Sequence, residues 1–231
     1  MTNKVAFFLP TRKGSQRVLS KNTRPFSDIS GGILELKLKQ LISSKLLDSI
    51  ILSTNDELSI EIAKSYREQD SRVQIIERPE ELCLDTTSLT DLIKYVPTIT
   101  DAEHILWGHT TTPFVDGSDY DEAIESYELK LQEGFDSLIS VTSFKNFLLD
   151  ENAKIFNNNT SLAWPRTQDL PQLYELNHAV FLTSRAVYLN NHNRIGNKPF
   201  LYEMGKLKSV DIDWEEDFKI AEALYEKFFR L

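Results

Sequence analysis

Short runs that read as strands alternate with longer stretches of helical period along most of the chain. This alternation restricts the fold more than any other feature. "VAFFL" (5–9) is a continuous apolar run, as expected of a strand buried on both faces. "ILELKLKQLISSKLLD" (33–48) follows with an apolar stripe at helical spacing, then "SIILST" (49–54) as a second strand. "DELSIEIAKSYREQ" (56–69) reads as a helix and "VQII" (73–76) as a strand. "SLTDLIKYVPTI" (88–99) predicts a helix interrupted near Pro97, and "HILWG" (104–108) a further strand. A helix beginning at Ser118 or Asp119 in "SDYDEAIESYELKLQE" then leads into the strand "DSLISV" (136–141). "AVFLTS" (179–184) and "LKSVDID" (207–213) read as later strands, and "EEDFKIAEALYEKFF" (215–229) as a terminal helix. The pattern predicts an α/β fold with a mostly parallel sheet flanked by helices.

With 231 residues and no interdomain linker or repeat in view, one domain over 1–231 is expected. The alternation lapses at 143–177, where turn-forming residues crowd "FKNFLLDENAKIFNNNTSLAWPRTQDLPQLY". That segment is a candidate protruding hairpin, lid or dimerisation arm; an extended surface connection fits the same residues. Phe144, Phe147, Leu148, Leu149, Ile155 and Phe156 would serve either a contact between chains or an internal core.

A net charge of −9 argues against a general nucleic-acid binder. Cys83 is the only cysteine, so no intrachain disulfide forms. No apolar run is long enough for a membrane span, and the expected setting is cytoplasmic.

Against this acidic background, "FLPTRKGSQRVLSKN" (8–22) concentrates positive charge directly after the first strand. Arg12, Lys13, Arg17, Lys21 and Arg24 precede the next acid, Asp28. Gly14 permits a close backbone approach and Ser15 offers a donor, so the loop can gather around phosphates. A solvated loop also fits the charge composition. The spacing matches neither the Walker A nor the dinucleotide-binding pattern. Near the other end, "SVDIDWEED" puts Asp211 and Asp213 two residues apart. In an extended backbone both carboxylates face one side and Ile212 the other, which suits magnesium beside nucleotide phosphates. Solvation or helix capping would equally use two acids. Asp217, in the following helix, is a candidate one layer behind the pair.

Together these segments resemble the acylneuraminate cytidylyltransferases, the CMP-sialic-acid synthetase family. The likeness rests on "LPTRKGSQRVLSKNTRPF", "STNDELSIEIAKSYREQ", "ERPEELCLDTTS", "HTTTPFVD", "SLISVTS", "RTQDLPQLYELNHAVFL" and "VDIDWEEDF", in order over residues 4–227. The resemblance implies a nucleotide-diphospho-sugar-transferase-like, Rossmann-type domain that forms a homodimer. It also implies transfer of CMP from CTP to the anomeric hydroxyl of an acidic 2-keto sugar, with Mg²⁺ as cofactor and pyrophosphate leaving. By the same likeness Arg12, Ser15, Arg17, Lys21 and Asn22 would bind the nucleotide. Asp211 and Asp213 would hold the metal, and Arg12, Lys21 and Asp211 would act in catalysis. His109, Arg166, Gln168 and Asn177 would contact the sugar. The chain departs from the family pattern at Thr11 and Lys13. His109 stands in place of the usual glutamine, Thr167 in place of a second arginine, and His178 in place of a glycine. These departures bear on which sugar is used: neuraminic, pseudaminic or legionaminic acid. A metal-dependent glycosyltransferase of the GT-A type, or a nucleotide-binding protein without transfer activity, are the competing readings.

Overall fold

The computed structural model describes residues 4–229. Seven strands form one sheet: β1 (Val5–Pro10), β2 (Ser49–Thr54), β3 (Val73–Glu77), β4 (His104–Trp107), β5 (Ser137–Phe144), β6 (Leu173–Ser184) and β7 (Pro199–Glu203). Among the described residues six α-helices accompany them: α1 (Gly32–Ile42), α2 (Glu57–Gln69), α3 (Leu89–Tyr95), α4 (Gly117–Gln132), α5 (Arg185–Asn191) and α6 (Glu215–Phe228). The spatial order is β3-β2-β1-β4-β6-β5-β7. Only β6 runs against its neighbours; the other pairings are parallel. The expected mostly parallel, helix-flanked sheet is therefore what the chain forms.

Packing explains the composition of the strands. Val5 to Leu9 are all buried because apolar clusters cover both sheet faces. Phe7, Leu38, Leu52 and Tyr120 belong to one cluster, whereas Phe8, Trp107, Phe181 and Tyr188 belong to the other. α4 begins at Gly117, just before the expected Ser118 or Asp119, because Asp116 and Asp119 form a reciprocal cap with each other's backbone N–H groups. α1 ends at Ile42, short of the predicted stretch to Asp48.

The strand order positions the site. From β1 the chain moves outward through β2 and β3, then returns to place β4 on the other side of β1. The loops after β1 and β4 therefore diverge at the carboxyl ends of two adjacent parallel strands, where ligands bind in open α/β sheets. A third apolar cluster fixes the walls of this crevice. Val18, Phe26 and Ile29 from the loop after β1 pack with Phe114, Ile212, Phe218 and Ala221. The basic loop and the C-terminal acid segment, about 190 residues apart in sequence, are joined through that core.

Two regions differ from the sequence reading, and a third takes the form of the protruding hairpin offered for it. "LKSVDID" forms no strand: its first residues turn, and 210–213 join no ladder of the sheet, with Ile212 N–H bonded to the Thr111 carbonyl. Ile212 nevertheless points into the apolar cluster while its flanking acids line a cavity on the other side, so the side-chain alternation survives without a ladder. The sheet's last strand is instead "PFLYE" (199–203). At 143–177, strands β5 and β6 continue past β7 as a two-stranded ribbon, pairing Thr142 with Glu175 and Phe144 with Leu173. Beyond that ribbon an irregular loop exposes Leu149, Phe156, Leu162 and Trp164, the last at 75%. Among the described residues, no helix is long and apolar enough to cross a membrane.

Candidate active site

Two cavities meet at the crevice. The first, of roughly 290 Å³, lies over the ends of β1 and β4. Arg12, Arg17, Lys21 and Arg78 line it, together with Ser15, Asn22, His109, Thr110 and Thr111, and no carboxylate is part of its wall. The second, of roughly 350 Å³, has Glu175, Asp211, Asp213 and Asp217 in its wall, beside Asn177, His178 and Trp214. A positively lined space thus adjoins a negatively lined one.

Lys21 sits at their boundary. Its Nζ donates to the carbonyl of Ile212 at 2.7 Å, which places the ammonium between Asp211 and Asp213 in the chain. Burial lowers the Lys21 pKa from its ordinary value, although Asp213 and then Asp211 oppose the shift. Asp211 responds in the complementary way. Burial raises its carboxyl, with Thr111, His178 and Lys21 pulling it down and Asp213 pushing it up. Its Oδ1 is buried and accepts no hydrogen bond, an unusual state for a carboxylate oxygen.

Neighbouring contacts hold the acid segment in place. Ile212 N–H donates to the carbonyl of Thr111 at 2.9 Å. Asp217 accepts from the backbone N–H groups of Asp213 (3.1 Å) and Trp214 (2.7 Å), so it braces the segment from the first turn of α6. Thr110 Oγ1 donates to Asn22 Oδ1 at 2.8 Å. The loop after β4 therefore touches both the basic loop and the acid segment. Lys37 anchors that loop from below: fully buried, it donates to the carbonyls of Thr112 (2.9 Å) and Val115 (2.8 Å) and contacts Tyr120 Oη at 3.0 Å.

The arginines at the rim are held by exchangeable partners. Arg17 pairs with Asp213 at 2.9 Å and lies over the Trp214 ring; Arg12 pairs with Asp85 at 2.6 Å. These pairs are substantially exposed, and such pairs contribute only about 0–1 kcal/mol. A phosphate can therefore take over either guanidinium at small cost. Arg24, by contrast, forms a two-pronged contact with Glu215 and stacks on Phe218, tying the basic loop to α6.

The sequence-predicted residues divide clearly. Arg12, Ser15, Arg17, Lys21 and Asn22 share the basic cavity, and Asp211 and Asp213 share the acidic one. Arg166 and Gln168 line neither; Arg166 is instead bound to Asp169 through two hydrogen bonds on an exposed segment. Asn177 lines the acidic cavity, but its amide already bonds to Ser140 and Ser209. His109 has both ring nitrogens engaged: Nδ1 with the His178 carbonyl at 2.9 Å and Nε2 with the Trp107 indole N–H at 3.1 Å. One edge of the ring faces the cleft, yet protein atoms crowd around it. Desolvation, aided by the charge of Arg194, pushes its pKa down to about 3, so it stays neutral.

Arg78 was not singled out from sequence. It donates to the Thr11 carbonyl and to Cys83 Sγ beneath the basic loop. A lone arginine immediately after the apolar run "VQIIE" was the available signal.

Asp211 and Asp213 fit a magnesium ion by their chemistry. Mg²⁺ needs only one or two protein carboxylates when phosphates and water complete its shell. The buried Asp211 Oδ1 has no hydrogen-bond partner and is therefore free to serve as a cation ligand. Among the described residues no group of three or more such ligands is gathered, so the protein alone does not build a full cage.

The chain is similar to known proteins along most of its length. The chain is 27% identical over 233 residues to the N-acylneuraminate cytidylyltransferase of Escherichia coli O18:K1:H7, covering 98% of this chain and 53% of that protein. It thus spans about half the length of that relative. It is 23% identical over 224 residues to a pseudaminic acid cytidylyltransferase of Campylobacter jejuni, with 94% of each chain covered. The fold matches the solved structure of a CMP:2-keto-3-deoxy-manno-octonic acid synthetase complexed with CTP. The TM-score is 0.68 at 11% identity, over 97% of this chain and 99% of that one. The profile of the family described as cytidylyltransferase spans residues 6–230, and the chain belongs to that family of nucleotidyltransferases.

Proposed function

We propose that the chain transfers CMP from CTP to the anomeric hydroxyl of an acidic 2-keto sugar, such as an N-acylneuraminate, and releases pyrophosphate. The observation that carries this reading is the meeting, at Lys21, of a cavity lined by four cationic side chains, two of them in exposed ion pairs with Asp85 and Asp213, and the Asp211–Asp213 pair. A triphosphate needs the first group, and a phosphate-bound metal needs the second. The names of the E. coli and Campylobacter relatives point to nine-carbon sugar acids, and identities of 22–27% leave neuraminic, pseudaminic and legionaminic acid as the panel.

In this reading the sugar hydroxyl attacks the α-phosphorus of CTP. A new P–O bond forms as the bond to the β-phosphate oxygen breaks, and the hydroxyl proton leaves to base. Arg12, Arg17 and Lys21 orient the phosphates, Ser15 and Asn22 contact the nucleotide, and positive charge steadies the departing pyrophosphate. Asp211 and Asp213 would hold Mg²⁺, which when bound neutralises phosphate charge. Arg166 and Gln168 belong to the sugar only if their segment moves from its present position. A GT-A-type glycosyltransferase is less well supported, because a nucleoside diphosphate sugar needs fewer cations than this cleft presents.

The exposed Leu149, Phe156, Leu162 and Trp164 support a homodimer built on the 143–177 arm. The decisive assay couples CTP to each sugar acid, reading pyrophosphate release and product mass. A CMP-linked acid is expected. CTP binding without turnover across the panel would instead favour a binding protein.

A further inference from the structure

His178 occupies a conformation that a side chain makes costly. Its φ is +59°, in the left-handed region that glycine enters freely and β-carbon-bearing residues avoid. The cause is a large bulge between β5 and β6. Ile139 pairs with Phe181 and Val141 with Leu176, which leaves residues 177–180 opposite Ser140 alone.

The bulge is braced rather than loose. Ser140 Oγ donates to Asn177 Oδ1 at 2.5 Å and accepts from Val180 N–H at 2.7 Å. Asn177 Oδ1 also accepts from Ala179 N–H, and its Nδ2 donates to Ser209. The His178 carbonyl is held by His109 Nδ1 at 2.9 Å. These contacts fix the backbone at 178 without using its side chain.

That side chain is exposed and lines the acidic cavity with Asp211, Asp213, Asp217 and Glu175. Its ring lies 6.2 Å from that of His109 and 6.1 Å from that of Phe181, with no hydrogen bond to its nitrogens among those of the described residues. The two histidines therefore have opposite dispositions. His109 uses both nitrogens inside the protein, whereas His178 presents an uncommitted imidazole to the space beside Asp211. A strained position that glycine would fill more comfortably thus carries a side chain in the wall of a cavity.

We infer that His178 is an acceptor-side specificity residue, whose imidazole hydrogen-bonds the sugar acid from a backbone held by His109. This inference rests on the cytidylyl-transfer reading. A wall of four carboxylates repels an acidic acceptor, so a donor among them has a defined use.

The test compares wild type with His178→Gly and His178→Asn in steady-state coupling of CTP to the sugar-acid panel, with thermal melts alongside. Glycine relieves the left-handed strain, so H178G should melt at or above the wild-type temperature. Its KM for the acceptor should rise about 10- to 100-fold, the loss of one hydrogen bond to a charged ligand, while its KM for CTP stays within about twofold. Asparagine tolerates the same backbone and retains a donor, so H178N should recover part of the acceptor affinity. An unchanged acceptor KM in H178G overturns the inference, as does a loss confined to kcat or an H178N no better than H178G. A lower melting temperature for H178G overturns the strain argument. Absence of turnover by wild type on every acid overturns the cytidylyl-transfer reading itself, a result distinguishable from the others.

Discussion

Replacing Lys21 with alanine removes a half-buried cation that, like the more exposed Arg17, touches both halves of the crevice. Its Nζ lies in the wall of the basic cavity and 2.7 Å from the Ile212 carbonyl, with desolvation already lowering its pKa. A hydrogen bond from such a cation to phosphate contributes about 1.5–3 kcal/mol, so CTP affinity should fall by roughly 10- to 150-fold. The fold should suffer less. Ile212 remains pinned by its N–H to Thr111 and by its burial among Phe26, Phe114 and Phe218. Losing the carbonyl contact is also partly offset by no longer burying an ammonium. A net cost near 1 kcal/mol would lower Tm by about 2–4 °C for a domain of this size. Titration calorimetry with CTP and Mg²⁺, paired with pyrophosphate release, measures the first quantity, and a thermal melt the second. CTP affinity within twofold of wild type, in a folded K21A chain, would refute the placement of phosphates at Lys21.

Other outcomes follow from the same geometry. Asp211→Asn should hold or raise Tm in metal-free buffer, since it removes a buried charge whose Oδ1 has no partner, while Mg²⁺-dependent turnover falls at least about 100-fold; a folded variant with wild-type turnover would exclude the metal role. Lys37, whose pKa is lowered from 10.5 to about 7 chiefly by burial, gives stability a pH slope. Between those values the unfolded chain binds the extra proton, so this contribution to stability rises with pH from about 7 towards 10.5; Asp119 and Asp116 oppose the shift and Lys208 adds to it. The Tm difference between wild type and Lys37→Met should therefore widen in favour of wild type across that window, and a flat difference would contradict it. Sedimentation should show a dimer for wild type and a monomer for Phe156→Ser/Trp164→Ser; a wild-type monomer at assay concentrations would dismiss the arm as a contact.

The sequence made the sheet and its helices legible because burial imposes period: "VAFFL" and "SIILST" are continuous where both faces are covered, and α2 shows its stripe and its Asp56 cap. β7 escaped notice because "PFLYE" is short, opens with proline and is only partly buried. "LKSVDID" misled in the opposite sense. Alternation there reflects Ile212 entering a core beside the sheet, not pairing within it, so the facing of Asp211 and Asp213 was readable while the strand was not. Charge density revealed the basic loop. Arg78, the engagement of both His109 nitrogens and the left-handed backbone of His178 depend on partners far away in sequence, and no local pattern encodes them.

The most direct measurement is a crystal structure of the chain with CTP and Mn²⁺, using anomalous scattering to place the metal. We expect the triphosphate among Arg12, Arg17, Lys21 and Arg78, with the manganese peak on Asp211 and Asp213. A nucleotide bound elsewhere, or a metal that leaves both carboxylates untouched, would contradict the claim that phosphates bridge the two cavities.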